Sequence, residues 1–423
     1  MKLVSLTKEQ FDEFAHNNYY KSYYQTSKYG RLREKYDFSA NYIGFIDEND
    51  ELVAASLILF KEAMMGYKYA YAPRGFLIDY NNLDILKDFV TQLKELLYKQ
   101  KFIFLKIDPQ IYISERDREG NVIAYNPNSE EIIKNLESLG FKYKGATKFF
   151  ETVKPRWEAI IKLDISINDQ YKYLSKNTRN KINKAIKSGI EIYRKQDGST
   201  EEIYKFIKAK HDKGTGYYKD FYEIFNEEDM FEIYCAKLNT EKFVINSKNA
   251  YETESEKNDI LAQKIQNVNT EEKEKKKYLN KKMESDKLLN IYKNNLIKAT
   301  NLLKQYPNGF LIGGAYVVKY ENTTYLLIDG FDKKYSDLNP LYLLRWVLIQ
   351  NATEEEYELV NLNGVVGEFQ EKNKYSGLNE MKLGYNATIA EYIGEFDLTI
   401  NNFIYNMYSN IKPINSNVKD KIN

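Results

Sequence analysis

Cysteine and histidine are nearly missing from this chain. Its 423 residues hold one cysteine, Cys235, and two histidines, His16 and His211. An intrachain disulfide is therefore excluded. Metal sites built on sulfur and imidazole have too few ligands, and a reducing compartment fits. An excess of one charge is missing too. Lys and Arg number 62 against 61 Asp and Glu, so no global field marks a nucleic-acid binder, and any phosphate contact must come from local patches. Long apolar runs are absent. Leu52–Phe60 and the residues around Val317 and Val318 fall far short of the ~20 residues a membrane-spanning helix needs. Met1-Lys-Leu-Val-Ser-Leu leads straight into Thr7-Lys-Glu-Gln, with no apolar signal core. The expectation is a soluble, cytoplasmic protein that can work at the inner face of the membrane.

What is present is enough apolar residue, 43 %, to build real cores, and a length that suits two to three domains. The 38 tyrosines read as compositional bias rather than chemistry. Thr7 with Gln10 three residues on marks a first helix, Thr7–His16. Tyr42–Asp47 and Leu52–Lys61 read as strands joined by an Asp47-Glu-Asn-Asp turn. Tyr67–Ala72 is a strand broken by Pro73-Arg-Gly75. Leu83–Lys99 has helical apolar spacing. Phe102–Ile107 is a short strand stopping at Asp108-Pro109, and Ser129–Leu139 is a helix ended by Gly140. The mixture predicts α+β layers.

Helices are expected over Asp169–Ser188, Thr200–Lys213, Asp220–Leu238 and Leu341–Asn351, with strands over Phe310–Tyr320, Thr324–Ile328 and Leu359–Leu362. The first of these helices is unusual: Lys172, Lys176, Arg179, Lys181, Lys184 and Lys187 share it with no acid after Gln170, which suits RNA or phosphate contact. From Thr240 to Gln305 there is neither proline nor glycine. Leu289, Tyr292, Leu296, Ala299 and Leu303 step by threes and fours, and Ile260, Ile265 and Val268 offer a partner face. A reversal at Asn267-Val-Asn-Thr270 makes this an antiparallel coiled-coil arm, 240–305, for contact with a large partner. His211 has no Ser or Cys partner motif, so triad chemistry is unsupported.

Several segments, in order, resemble the Fem family of peptidoglycan bridge aminoacyltransferases. They are Tyr69-Ala-Tyr-Ala-Pro-Arg-Gly-Phe-Leu-Ile-Asp79, Phe104-Leu-Lys-Ile-Asp-Pro109, Lys154-Pro-Arg156, the basic run Leu174–Ile192 and the tail from Ser376 to Phe396. The inserted arm makes FemA-like members the nearest. The resemblance covers essentially the whole chain. It implies two GNAT-like acyltransferase domains, 1–153 and 154–384, with 385–423 returning to the first through a strand Glu391–Phe396. An acetyl-CoA enzyme of such a fold would carry Gln/Arg-x-x-Gly-x-Gly/Ala to hold pyrophosphate on backbone amides. No Gln or Arg here has Gly three residues on, which argues for another acyl donor.

The resemblance implies transfer of a small amino acid (Gly, Ala or Ser) from aminoacyl-tRNA to the stem-peptide amine of lipid II or UDP-MurNAc-pentapeptide. No metal or organic cofactor is implied. Lys382 matches the lysine placed at the reacting carbonyl, where a cation stabilises the oxyanion. Asp108 is a candidate proton acceptor, or a turn carboxylate capping the Pro109 loop. Arg33 matches a phosphate-binding base, with Lys28 and Arg31 beside it. The family's second phosphate arginine has no clean counterpart: the position falls near Tyr217, with Lys219 the closest cation. Leu326 and Ile328 replace a tyrosine pair. Two alternatives stand: a catalytically impaired partner of Fem-like homologues, or transfer to a different acceptor.

Overall fold

The computed structural model describes residues 1–210, 213–267 and 272–411. The chain is α+β, built on two mixed sheets. The first runs in the order Lys2–Ser5, Ser39–Ile46, Leu52–Met64, Tyr67–Ala72, Phe102–Ile107, Phe396–Thr399, Phe141–Tyr143. All its pairs are antiparallel except Tyr67–Ala72 with Phe102–Ile107. The parallel pair needs a crossover, and the helix Leu83–Lys99 supplies it, burying Leu86, Phe89, Val90, Leu93 and Leu97. The second sheet runs Ile190–Arg194, Phe231–Leu238, Phe310–Tyr320, Thr323–Phe331, Leu359–Gly364, Trp157–Lys162, Thr388–Tyr392, Tyr112–Arg116, Val122–Tyr125.

The local signals that hold are those with side-chain chemistry behind them. Thr7 and Gln10 form a reciprocal capping box on helix Lys8–Asn17. Asp47 accepts from the amides of Asn49 and Glu51, closing the predicted turn.

Four expectations are corrected. Asp220–Leu238 is not one helix. A helix ends at Phe225, Asp229 takes a left-handed backbone (φ 52°), and Phe231–Leu238 is a strand covered on both faces. Such a largely apolar run, interrupted only at Glu232 and Lys237, is one that periodicity cannot tell from a buried helix. The basic segment is two helices, Ile167–Tyr173 and Lys176–Lys187, because Ser175 caps the second through the Thr178 amide. The helix expected over Thr200–Lys213 covers Glu201–Ile207, and His211 lies outside the described residues. The tail strand is two strands. Thr388–Tyr392 sits in the second sheet and Phe396–Thr399 in the first, with the chain passing between them at Gly394, φ +97°.

The tail motif therefore ties the sheets together. Glu391 meets Arg156 at 2.8 Å and Arg116 at 2.7 Å in the second sheet. Glu395 and Asp397 meet Lys106 at 3.1 and 2.9 Å in the first, where Lys144 also pairs with Asp397. A continuous aromatic core joins the sheets elsewhere. Tyr23 touches the rings of Phe225 and Tyr325, and Tyr218 touches Tyr316. Part of the tyrosine excess is thus structural, each ring burying apolar area while leaving a hydroxyl to place.

Thr240–Asn267 and Glu272–Gln305 are two long helices packed side by side, the Thr240 hydroxyl donating to the Tyr306 carbonyl at their base. Residues 268–270 of the expected reversal lie outside the described residues. The seam is only partly apolar. Ala299, Leu302 and Leu261 are buried, whereas Ile260 is 51 % exposed. Midway the helices meet through a polar layer: Asn258 donates to Ser285 and Asp286, and Ser285 donates to Glu254. A buried polar layer of this kind fixes register at some cost in stability.

Candidate functional site

The Tyr67–Ala72 strand ends in Pro73-Arg74-Gly75 at the boundary between the sheets. Asp108, at the end of the neighbouring strand, is buried. It accepts from the Arg74 amide at 2.7 Å and from the Tyr71 hydroxyl at 2.8 Å. Burial, opposed by Arg74, pushes its carboxyl up to about 6. The Arg74 guanidinium crosses to the second sheet, donating to Glu158 at 2.6 Å and to the Pro155 carbonyl at 3.0 Å. Asn361 and Tyr392 donate to the other oxygen of Glu158. Arg74, Glu158 and Asn361 line a narrow slot together with Tyr23, Tyr24, Tyr325 and Asn363. Arg74 (φ 53°) and Asn363 (φ 67°) both hold left-handed backbone. Each such residue costs ~1–3 kcal/mol unless its surroundings fix it, and such strain concentrates at working sites.

Lys382 lies on the helix Ser376–Leu383 and donates to the Gly364 carbonyl at 2.7 Å, one residue from the Asn363 that lines the slot. An ammonium carries three N–H groups, so two remain after this bond. Burial and then the Arg345 guanidinium lower its pKa to about 7, and Asp329 opposes them. Asp329 is itself engaged by Arg345 and by Lys210, and among the described residues no carboxylate forms an ion pair with Lys382.

Arg33 belongs to a second group of cations. It is buried, and its guanidinium stacks on Phe38 at 4.7 Å. Lys154 lies over the Tyr24 ring at 4.2 Å, and Lys213 over the Tyr217 ring at 4.0 Å. Burial, with Arg33 and Lys154 beside it, holds Lys213 well below the usual lysine range. Lys28 and Arg31 do not join this group. Lys28 pairs with Glu228 at 3.0 Å, and Arg31 forms a two-pronged bond with Glu227 at 2.8 Å. Lys219 is exposed and its carboxylate neighbour is Glu223 at 3.9 Å. Neither Lys213 nor Lys154 was singled out in the sequence, although Lys154 lay inside the quoted Lys154-Pro-Arg156 motif and Lys213 closed the helix expected over Thr200–Lys213. Tyr325, one position before Leu326, supplies an aromatic wall to the slot, and Leu326 lines it too.

The basic cations are not one stripe. Lys172 sits on the separate first helix and pairs with Asp169 at 2.8 Å. Lys181 donates to the Tyr342 hydroxyl and lies over its ring. Lys176, Lys184 and Lys187 are exposed, and Arg179 is half-buried. Their helix nevertheless braces the Lys382 helix: the Ser175 amide donates to the Gly384 carbonyl at 2.9 Å, and Asn177 donates to Glu380 at 2.7 Å.

Comparison with known proteins bears on this arrangement. The FemAB family model matches residues 6–413. The chain belongs to the FemAB family. It is 26 % identical over 435 residues to "Aminoacyltransferase FemA" of Staphylococcus epidermidis, covering 98 % of this chain and 100 % of the relative. It is 25 % identical over 434 residues to "Lipid II:glycine glycyltransferase" of the same species, covering 100 % and 98 %. Among solved structures, FemX matches with a TM-score of 0.72 at 21 % identity over 96 % of this chain and 99 % of that one, a likeness of fold. For this FemAB chain, among the described residues, no helix is long and apolar enough to cross a membrane.

Proposed function

We propose that this FemAB protein transfers a small amino acid from aminoacyl-tRNA to the stem-peptide amine of a peptidoglycan precursor. The relative named as a lipid II:glycine glycyltransferase favours glycine as the amino acid and lipid II as the acceptor, with UDP-MurNAc-pentapeptide the soluble form. The observation that carries the reading is Lys382, a cation held beside the slot with two N–H groups to spare. The acceptor nitrogen attacks the ester carbonyl, a C–N bond forms, and negative charge builds on the carbonyl oxygen. Lys382 stabilises that oxygen, an effect typically of ~3–4 kcal/mol. The C–O ester bond then breaks and the ribose hydroxyl leaves with the proton given up by the amine.

In this reading Arg33, Lys154 and Lys213 hold the acceptor phosphates, since closely set cations gain most from an anion. Asp108 acts through Arg74, because its two oxygens are taken up by the Arg74 amide and the Tyr71 hydroxyl, and is a positioning residue rather than the base. Lys176, Arg179, Lys184 and Lys187 meet the tRNA backbone. The helical arm, with Ile260, Met283, Ile291 and Ile297 exposed, contacts a Fem-like homologue. Domains 1–153 and 154–384 are kept in the proposal, with 112–125 lent to the second sheet and 396–399 returned to the first.

The test incubates the protein with charged tRNA and purified lipid II and follows the mass of the acceptor. A gain of one aminoacyl residue is expected. No gain with glycine, alanine or serine overturns the reading.

A further inference from the structure

Asp329 acts on Lys382 and does not pair with it. It is buried, near the end of the strand Thr323–Phe331. Asn363, next to the Gly364 that Lys382 holds, donates to the Leu327 carbonyl two residues before Asp329. A free carboxylate there would draw the ammonium to itself, because opposite charges attract strongly where water is scarce. Asp329 is not free. One oxygen accepts from Arg345 at 2.5 Å, and the other from Lys210 at 3.1 Å. Burial works against the Asp329 charge, but Arg345 and then Lys210 outweigh it and hold the carboxyl below its usual range.

The two cations on Asp329 are held differently. Arg345 is fully buried on the helix Pro340–Glu354. Lys210 reaches in from outside, its side chain 52 % exposed. It follows the helix Glu201–Ile207, and its amide donates to the Ile207 carbonyl at 2.8 Å. Its ammonium also donates to the Asp329 carbonyl at 2.8 Å, so it grips backbone and side chain together. This approach depends on Gly330. A Cβ there would stand 2.2 Å from the Phe206 carbonyl oxygen. Any side chain would push that helix off the strand and carry Lys210 away from Asp329. The other charged groups that act on Lys382 are Arg345 and, from the slot, Glu158. Glu158 is already taken up by Arg74 on one oxygen and by Asn361 and Tyr392 on the other.

We infer that Lys210 is a positioning residue for Lys382: by holding one oxygen of Asp329, it keeps that carboxylate from pairing with the ammonium and leaves the ammonium for the substrate. This rests on the transferase reading and deepens it. Without Lys210, Asp329 competes with the developing oxyanion for the same cation, and the oxyanion loses part of its stabilisation.

The experiment is an NMR titration of the full chain, labelled at the lysine ε-carbon, with Lys382→Met identifying the Lys382 resonance by its loss. The wild-type midpoint is expected near 7. Lys210→Ala removes a repelling cation and frees an attracting carboxylate, so the midpoint should rise. Asp329→Asn removes the attraction, so the midpoint should fall. Lys210→Arg should restore the wild-type value. A merely structural role for Lys210 would not move the two midpoints in opposite senses. Turnover of Lys210→Ala with charged tRNA and lipid II should be about 10-fold lower below pH ~7, where variant and wild type both carry the ammonium. The titration needs neither tRNA nor lipid, so a wild type without transfer activity overturns the transferase reading and leaves the midpoints standing. A midpoint unmoved by Lys210→Ala, midpoints that move the same way in both variants, or turnover of Lys210→Ala equal to that of an active wild type overturns the inference.

Discussion

Two buried lysines in this protein have opposite fates. Lys106, on the first sheet, is 1 % exposed and sits between Glu395 at 3.1 Å and Asp397 at 2.9 Å. Burial disfavours its charge, but the two carboxylates outweigh burial and hold it above the usual lysine range. Lys382, beside the slot, meets a carbonyl where Lys106 meets carboxylates, and the charge that acts on it most is a guanidinium. Its pKa falls to about 7. The same side chain is a charged structural tie in one place and a lysine of lowered pKa in the other, and the counter-ion decides which.

Removing Lys106 should have the largest effect. Lys106→Met strands Glu395 and Asp397, and breaking a buried pair in this way costs ~3–5 kcal/mol. Denaturant unfolding checks it, and an unchanged midpoint would mean Lys144 alone neutralises the carboxylates. Lys382→Met should act in the other direction on the comparison. Turnover should fall by about 10²-fold or more with the fold retained, read by acceptor mass and circular dichroism. Wild-type turnover would remove Lys382 from the mechanism.

The pH dependence sharpens the contrast. If the ammonium of Lys382 is the working form, the transfer rate should fall as pH rises through about 7. Its stability linkage has a definite sign. With the folded pKa lowered to about 7 and the unfolded one near ~10.4, the unfolded chain binds more protons between them. The lysine's cost is therefore fully present below pH ~7 and is relieved as pH rises toward ~10.4. Lys382→Met should stabilise the protein most at neutral and lower pH, and a stability gain independent of pH would contradict the lowered pKa. Next in size, Lys213→Ala together with Arg33→Ala should raise the acceptor KM by about 10-fold with kcat little changed, measured against lipid II concentration. The smallest effect belongs to the exposed cations. Lys219→Ala, whose partner is a surface carboxylate 3.9 Å away, should change stability by under ~0.5 kcal/mol and leave KM unmoved.

Legibility followed the reach of the interactions. The capping box at Thr7, the helix Leu83–Lys99 and the strand Phe102–Ile107 were readable because neighbours a few residues apart determine them. Phe231–Leu238 was not, since a strand buried on both faces has no period-two pattern to show. The Arg33 group was half readable. Arg33 lay in a conspicuous basic run, but its neighbours there turned away to Glu227 and Glu228, and its true companions came from residues 154 and 213. Of the arm, the length and the lack of proline were visible. Its polar centre at Glu254, Asn258 and Ser285 was not, because the heptad reading sought apolar residues and Ile260 faced outward.

The sequence by itself determined the α+β class, the inserted helical arm, the family and the lysine at the tail. These rest on composition, short-range pattern and ordered motifs, all of which are written along the chain. Only the tertiary structure decided what each charge does. Glu391 and Glu395, four residues apart, serve different sheets, and Lys106 and Lys382 meet opposite electrostatic surroundings. The physical reason is that burial and counter-ions set a charge's role, and both come from residues far apart in the chain that the sheets bring together.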